Sequence, residues 1–440
     1  MKPVDLSSRM AELEASDPAR RGLSPWARAV RTSEILTIAY DVRERIAAGE
    51  DILNLTVGDY SPTEFPIPTR LAEALEDAIG AGETNYPPAP GLPETRDAIR
   101  NHLRDRLGLA YPRASVLVVS GARPAIFGTY ASVVGPGDEV VYGLPSWNND
   151  HYARLVGGRP VEIATTAESR FFLTPDQLEP HLSTARLLCL NSPQNPSGTV
   201  MRAGDLEAIG RMVLDENRRR AAEDRPPLYV LFDQIYWPLT FGEVTHVNPV
   251  SLVPELADYT FLVDGLSKGY AATGLRVGWC VGPPDVMKRM MSILAHAGCW
   301  APRPEQVATA RFLGDDAAID EYLDRMRSAV YARLELLHDA FTSFRGQGLD
   351  IDCIRPQGAI YSSIRLDLTQ RRTRDGRVLR SDEDTRVHLL EHAGIALVPF
   401  RAFGVPDESH WFRASIGVAS LADCESVRAR LSRAFERIEP

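Results

Sequence analysis

Lys268 is the residue whose neighbours best suit it to covalent chemistry, in the run Val263-Asp264-Gly265-Leu266-Ser267-Lys268-Gly269-Tyr270. A lysine after a short apolar strand and small residues can sit desolvated in a pocket. Its ammonium then gives up a proton more readily and the amine becomes a nucleophile. Arg276 follows eight residues later in Gly274-Leu275-Arg276-Val277-Gly278, placed to hold a phosphate carried by whatever the lysine binds. Taken alone, the segment also reads as a surface lysine among glycines.

Three upstream segments change that reading. Asn191-Ser192-Pro193-Gln194-Asn195-Pro196-Ser197-Gly198 follows the apolar run Leu187–Leu190, a turn at the carboxyl end of a strand, where open α/β sheets bind ligands. Leu228–Tyr236 is a second buried strand, delivering Asp233 and Tyr236 just past its apolar part. Val116–Val119 breaks into Ser120-Gly121-Ala122-Arg123 before a helical pattern, which exposes backbone N–H groups to an anion at a helix start. Each has a plainer reading as a generic turn, a strand-end cap or a packing need. Four such segments, each closing an apolar strand, point to one ligand site.

With these motifs the chain resembles the class I/II aminotransferases, fold type I enzymes that use pyridoxal 5′-phosphate (PLP), from about Leu23 to the C-terminus. Gly298–Gln306 and Asn54–Asp59 look most like the bacterial aspartate-aminotransferase branch. The resemblance implies that Lys268 forms the covalent link to the cofactor and later shuttles a proton. Asp233 would pair with the pyridine nitrogen, and Asn195 and Tyr236 would donate to the ring oxygen. Arg276, Ser267 and the Gly121-Ala122-Arg123 turn would hold the phosphate. Trp147 would lie flat on the ring. Arg413 would grip the substrate α-carboxylate with two parallel hydrogen bonds, and Gly58 would line the substrate side. Tyr86 matches a tyrosine that reaches the phosphate of the neighbouring subunit, which implies a homodimer. His296 and Trp300 are expected either to line the site from that partner or to pack at the interface.

Two departures stand out. Many members carry a serine three residues before the lysine; here that position is Gly265, so Ser267 or Arg123 is expected to compensate. Dicarboxylate-specific members use a partner-subunit arginine for the distal carboxylate, and Ser292–Gly298 has none; Arg303 is the nearest candidate. Aspartate is therefore not expected to be the best substrate.

Positioning these residues takes a particular set of elements. Residues 31–49 read as an amphipathic helix, with Ile35, Leu36, Ile38, Ala39, Val42, Ile46 and Ala47 near one face. Between about 56 and 310, apolar strands near 116–120, 139–142, 187–190, 228–232, 259–264 and 276–281 alternate with helical stretches. That alternation marks an α/β fold with a doubly wound, mostly parallel sheet covered on both faces. A long helix near 315–345 precedes shorter strands at 358–364 and 394–398, suggesting a smaller C-terminal α/β domain. The expected division is an arm over 1–22, a segment over 23–55 completing the small domain, a large PLP-binding domain over 56–314 and the small domain over 315–440. Arg218-Arg219-Arg220 reads as a solvated helix end, and Arg371–Arg380 as a surface hairpin or loop with a lesser claim to an anionic substrate. Gly135-Pro136-Gly137-Asp138 is a turn, because its glycine spacing does not match a dinucleotide fingerprint.

Composition fits a globular enzyme. The chain has 440 residues, 49 basic against 59 acidic, and a net charge of −10, which argues against nucleic acid or an anionic membrane as partner. Five scattered cysteines without CxxC spacing suggest neither a disulfide framework nor a zinc site, and no metal is expected. Met1–Arg9 lacks a signal-peptide apolar core and no run reaches membrane-span length, so a cytoplasmic protein is expected. The reading is a PLP enzyme acting on an α-amino acid and a 2-oxo acid by transamination. The same residues would also serve elimination, replacement or cyclisation of the 1-aminocyclopropane-carboxylate-synthase type. A PLP-sensing transcription regulator would need a basic DNA-binding module, which neither the short N-terminal extension nor the charge provides.

Overall fold

The computed structural model describes residues 5–14, 22–24, 27, 33–405 and 408–439. In chain order the strands are β1 (Leu53–Asn54), β2 (Val116–Val119), β3 (Glu139–Leu144), β4 (Arg159–Ala164), β5 (Ala185–Asn191), β6 (Tyr229–Asp233), β7 (Thr260–Gly265), β8 (Gly278–Val281), β9 (Asp350–Cys353), β10 (Tyr361–Asp367), β11 (Ile395–Ala396), β12 (Val398–Pro399) and β13 (Trp411–Ser415).

Seven strands form the central sheet in the order β2-β8-β7-β6-β5-β3-β4. Neighbours from β7 to β4 run parallel, while β8 is antiparallel to both β7 and β2. Successive residues of its strands enter two different cores, as a sheet covered on both faces requires. Leu231, Val263 and Cys280 pack with Ile126, Tyr130, Met290 and Leu294 on one face. Phe232, Leu262 and Trp279 join the larger core on the other.

A second sheet, β12-β13-β10-β9, is antiparallel throughout. β1 pairs in parallel with β11 through Leu53↔Ile395, tying the start of the chain to its C-terminal part. The amphipathic helix runs over Glu34–Ala47 and buries Ile38, Ala39 and Val42. Ile38 and Val42 pack with Val398, Phe400 and Phe403. Residues 31–32 of the expected helix lie outside the described residues, as do 1–4, 15–21 and the Pro25-Trp26 pair. The long helix spans Asp316–Thr342, capped by Asp315, whose side chain accepts from the Ala318 N–H.

Several expectations need correction. The 1–22 segment, expected only as an arm, contains a helix at Ser7–Glu14. β4, β9 and β13 were not expected: β4 lies at the sheet edge and holds only exposed and half-buried residues, so it has no apolar run to reveal it. The strand expected at 358–364 runs over Tyr361–Asp367, and the one at 394–398 is split into β11 and β12. Arg220 is buried rather than solvated. It pairs with the equally buried Glu216 and donates to the Leu182 and Ala185 carbonyls, both at 2.7 Å, so it ties a helix end to the start of β5. The 371–380 segment is a hairpin, with Arg372 bridged to Val378.

Candidate active site

The carboxyl ends of β5, β6 and β7 open into a cavity of about 620 Å³. The ladder brings Asn191 opposite Asp233, and Asp233 opposite Val263, so residues just past these strand ends converge. Asn191 fixes the turn that follows it: its amide donates to the Asp233 carbonyl at 2.8 Å and its oxygen accepts from the Asn195 N–H at 2.8 Å.

Lys268 and Asp233 face the same cavity with their proton affinities displaced toward each other. Burial pushes the Lys268 ammonium down to about 8; Asp59 partly offsets this, while Arg413, Arg123 and Arg276 add to it. Burial also pushes the Asp233 carboxyl up to about 6, against the Ile235 N–H and the Lys268 charge. Lys268 Nζ donates to the Gly58 carbonyl, and Tyr60 Oη donates to the Lys268 carbonyl at 2.8 Å.

Opposite them stand side chains from the second sheet. Arg413 on β13 is buried, its guanidinium carbon 4.8 Å from the Tyr361 ring centroid and 4.9 Å from that of Phe403. It donates to Asn195 Oδ1 at 3.0 Å and to the Thr56 carbonyl at 2.6 Å, while its buried Nε has no partner. The Tyr236 and Tyr361 hydroxyls lie 2.6 Å apart. Burial and this contact hold the Tyr236 phenol well above its ordinary value, so it stays a hydrogen-bond donor.

A helix start and a guanidinium that could hold an anion close one end. Gly121 has φ +85° and precedes the helix Ala122–Val133. A Cβ there would lie 2.3 Å from Arg276 Nη2, so only glycine lets that guanidinium settle on the helix start. Arg276 is braced by the Thr273 carbonyl at 2.7 Å and the Ser120 carbonyl at 3.0 Å. Gly265 also has a steric reason: a Cβ would sit 2.8 Å from both Gly278 Cα and the Val277 oxygen, leaving no room for serine. Ser267, Ala122 and Arg123 line the cavity. Arg123 stacks over Trp147, its guanidinium carbon 4.6 Å from the ring centroid.

Not every expected residue is brought in. Tyr86 and His296 do not line the cavity of this single chain. Tyr86 is 82% exposed and meets Trp300 edge-on at 5.8 Å. Arg303 is engaged with Glu83, and the 371–380 arginines do not line the cavity. Sequence reasoning missed Tyr361, Asn191 and Asp59. Tyr361 lay within a quoted strand and Asn191 at a quoted turn, but nothing local marked either as facing a ligand.

The chain matches the family described as aminotransferase class I and II over residues 50–431. An aspartate aminotransferase of Geobacillus stearothermophilus is 30% identical over 92% of this chain and 96% of its own. An aspartate/prephenate aminotransferase of Thermus thermophilus is 30% identical over 87% of this chain and 93% of its own. The crystal structure of a Rhizobium meliloti aspartate aminotransferase superposes with a TM-score of 0.84 at 29% identity, covering 95% of this chain and 99% of the other.

Proposed function

The chain belongs to the class I and II aminotransferases, a PLP-dependent transferase family, and from that premise we propose that the cavity around Lys268 binds PLP and moves the amino group of an α-amino acid to a 2-oxo acid. The observation that carries the site assignment is the pairing of Lys268, drawn down to about 8, with Asp233, drawn up to about 6, in one cavity. Neither has an ion-pair partner among the described residues, and a cofactor that takes the amine covalently and offers a ring N–H to the carboxylate satisfies both.

The donor set fits that group at each end: the Gly121–Arg276 cradle for a phosphate, Tyr236 and Asn195 for a ring oxygen, and the unpartnered Nε of Arg413 beside the substrate position. When bound, PLP supplies an electron-withdrawing ring that accepts the pair released as the substrate Cα loses its proton. Lys268 Nζ, partly neutral near pH 8, takes that Cα proton and hands it back. Asp233 would keep a proton on the ring nitrogen, Trp147 would cover the ring face, and Arg276 with Ala122, Arg123 and Ser267 would hold the phosphate. Arg413 orients the α-carboxylate, and the Gly58 carbonyl aims Lys268 Nζ.

The site is completed by a second copy of the chain, through the exposed Tyr86, the half-buried Trp300 beside it and His296, and the protein works in the cytoplasm. No helix among the described residues is long and apolar enough to cross a membrane. The proposed division at 1–22, 23–55, 56–314 and 315–440 is supported by the β1–β11 pairing of the second segment with the fourth. Aspartate and glutamate are not the best substrates: Arg303, the nearest candidate for a distal carboxylate, is engaged with Glu83, and Ile35, Leu36 and Phe171 contribute apolar wall. Incubation of the PLP-loaded protein with amino donors and 2-oxo acid acceptors, with products identified by mass, tests the function. The new keto acid is expected; ammonia or a cyclised product in its place would move the reaction to elimination or cyclisation.

A further inference from the structure

β6 and β7 deliver the two groups on which the site reading rests, but their ladder ends at Asp233↔Val263. Beyond that pair one strand turns through Gln234-Ile235-Tyr236-Trp237-Pro238 and the other through Asp264-Gly265-Leu266-Ser267-Lys268-Gly269. Only the Gln234 N–H to Val263 carbonyl bond, 3.0 Å, continues the main-chain pairing. Past it the turns interlock through side chains. Trp237 Nε1 donates to Asp264 Oδ2 at 2.8 Å, and the Gly265 N–H donates to Asp264 Oδ1 at 2.7 Å. A Cβ at Gly269 would lie 2.8 Å from Pro238 Cγ, and one at Gly265 would lie 3.4 Å from Ile235 Cδ1, so the two turns pack without a gap.

Asp264 is buried, with Trp237 over it and His102 and His246 flanking that indole at 5.8 and 6.3 Å. It touches neither the cavity nor a cation among the described residues. A carboxyl group kept in such a place carries a cost that a well-packed apolar side chain would avoid. We propose that Asp264 is a positioning residue, whose carboxyl group clamps the Asp233–Trp237 turn to the Gly265–Lys268 turn through the Trp237 indole and so fixes the separation of Asp233 from Lys268. Both of its oxygens are needed as acceptors. An asparagine has one acceptor oxygen and one NH₂, so it keeps one bond and turns a donor against the other N–H. Burial, with the Asp233 charge adding to it, holds the Asp264 carboxyl above its ordinary value, and the Gly265 and Trp237 hydrogen bonds oppose that.

The inference rests on the roles proposed for Lys268 and Asp233, and the test separates the two. Trp237→Phe, Asp264→Asn and the double variant are compared with wild type as PLP-loaded enzymes. Each single variant is expected to lose roughly tenfold or more in kcat with KM within about twofold, and the double variant to be no worse than the poorer single one. The visible circular dichroism of the bound cofactor is expected to change in each. In the cofactor-free proteins, amide hydrogen exchange is expected to quicken over 234–238 and 264–269 while β3 and β5 keep wild-type protection. Wild-type kcat and dichroism in Trp237→Phe, or losses that multiply in the double variant, would overturn the clamp. So would an even loss of protection across the sheet, the mark of a merely structural contact. A wild-type protein that takes up no PLP would overturn the proposed function, and the exchange comparison would then decide the clamp alone.

Discussion

The hydroxyls of Tyr236 and Tyr361 lie 2.6 Å apart, although one follows β6 of the central sheet and the other opens β10 of the second sheet. The same juncture brings Arg413 on β13 onto Asn195 beyond β5. The cavity therefore has a floor from one sheet and a wall from the other, and Arg413 on the wall reaches Asn195 held by the floor.

Removing the Tyr361 hydroxyl tests this juncture. Tyr361→Phe leaves Tyr236 without its hydrogen-bond partner while keeping the ring beneath Arg413. A net hydrogen bond of about 1 kcal/mol corresponds to a loss of roughly fivefold to tenfold in kcat/KM. Steady-state kinetics check it, and the fall is expected with any good amino donor.

Arg413→Lys should weaken all amino-acid substrates alike. A guanidinium offers a planar fork to a planar anion, which an ammonium cannot reproduce. Hydrogen bonds to a charged group contribute about 1.5–3 kcal/mol, so kcat/KM should fall by about 10- to 160-fold. A loss confined to one substrate would assign Arg413 to side-chain recognition.

Asp233→Asn should separate stability from catalysis. The carboxyl titrates at about 6 in the folded chain, above its ordinary value, so between those values the folded state binds more protons than the unfolded one. Stability of the cofactor-free protein therefore falls as pH rises through that window and stays reduced at pH 7. Replacing the carboxylate by a neutral amide should raise stability at pH 7 by on the order of 3 kcal/mol, with little effect at pH 4. Turnover should fall by orders of magnitude, since the ring nitrogen loses its anionic partner. Denaturant titrations at the two pH values, with and without the substitution, measure the difference.

Much of this was legible in the sequence because the site residues follow buried strands. The apolar runs ending at Asn191, Asp233 and Gly265 marked both the sheet and the strand ends that line the cavity. What escaped had no local signal. β4 shows no apolar run at the sheet edge, and Arg220 resembles its solvated neighbours until Glu216 is seen packed against it. Tyr361 sits in a strand like any other aromatic, and its meeting with Tyr236 depends on how two sheets dock. The want of a serine at 265 drew attention as a departure; the close approach of Gly278 explains it in a way only three dimensions show.

Assembly gives a further test. Tyr86, exposed in the single chain, is expected to reach the cofactor phosphate of a second copy. The protein should sediment as a dimer, and mixing Lys268→Ala chains with Tyr86→Phe chains should restore part of the activity through heterodimers. A fully active monomer would contradict this.

The central claim is that Lys268 holds the cofactor, and the chain's composition makes the claim easy to check, since its only lysines are Lys2, Lys268 and Lys288. Borohydride reduction of the PLP-loaded protein, followed by proteolysis and mass spectrometry, locates any covalently fixed cofactor. The expected result is the cofactor mass on the peptide containing Lys268, with no label in Lys268→Ala and no turnover by that variant. Label on Lys2 or Lys288, or undiminished turnover by Lys268→Ala, would contradict the account.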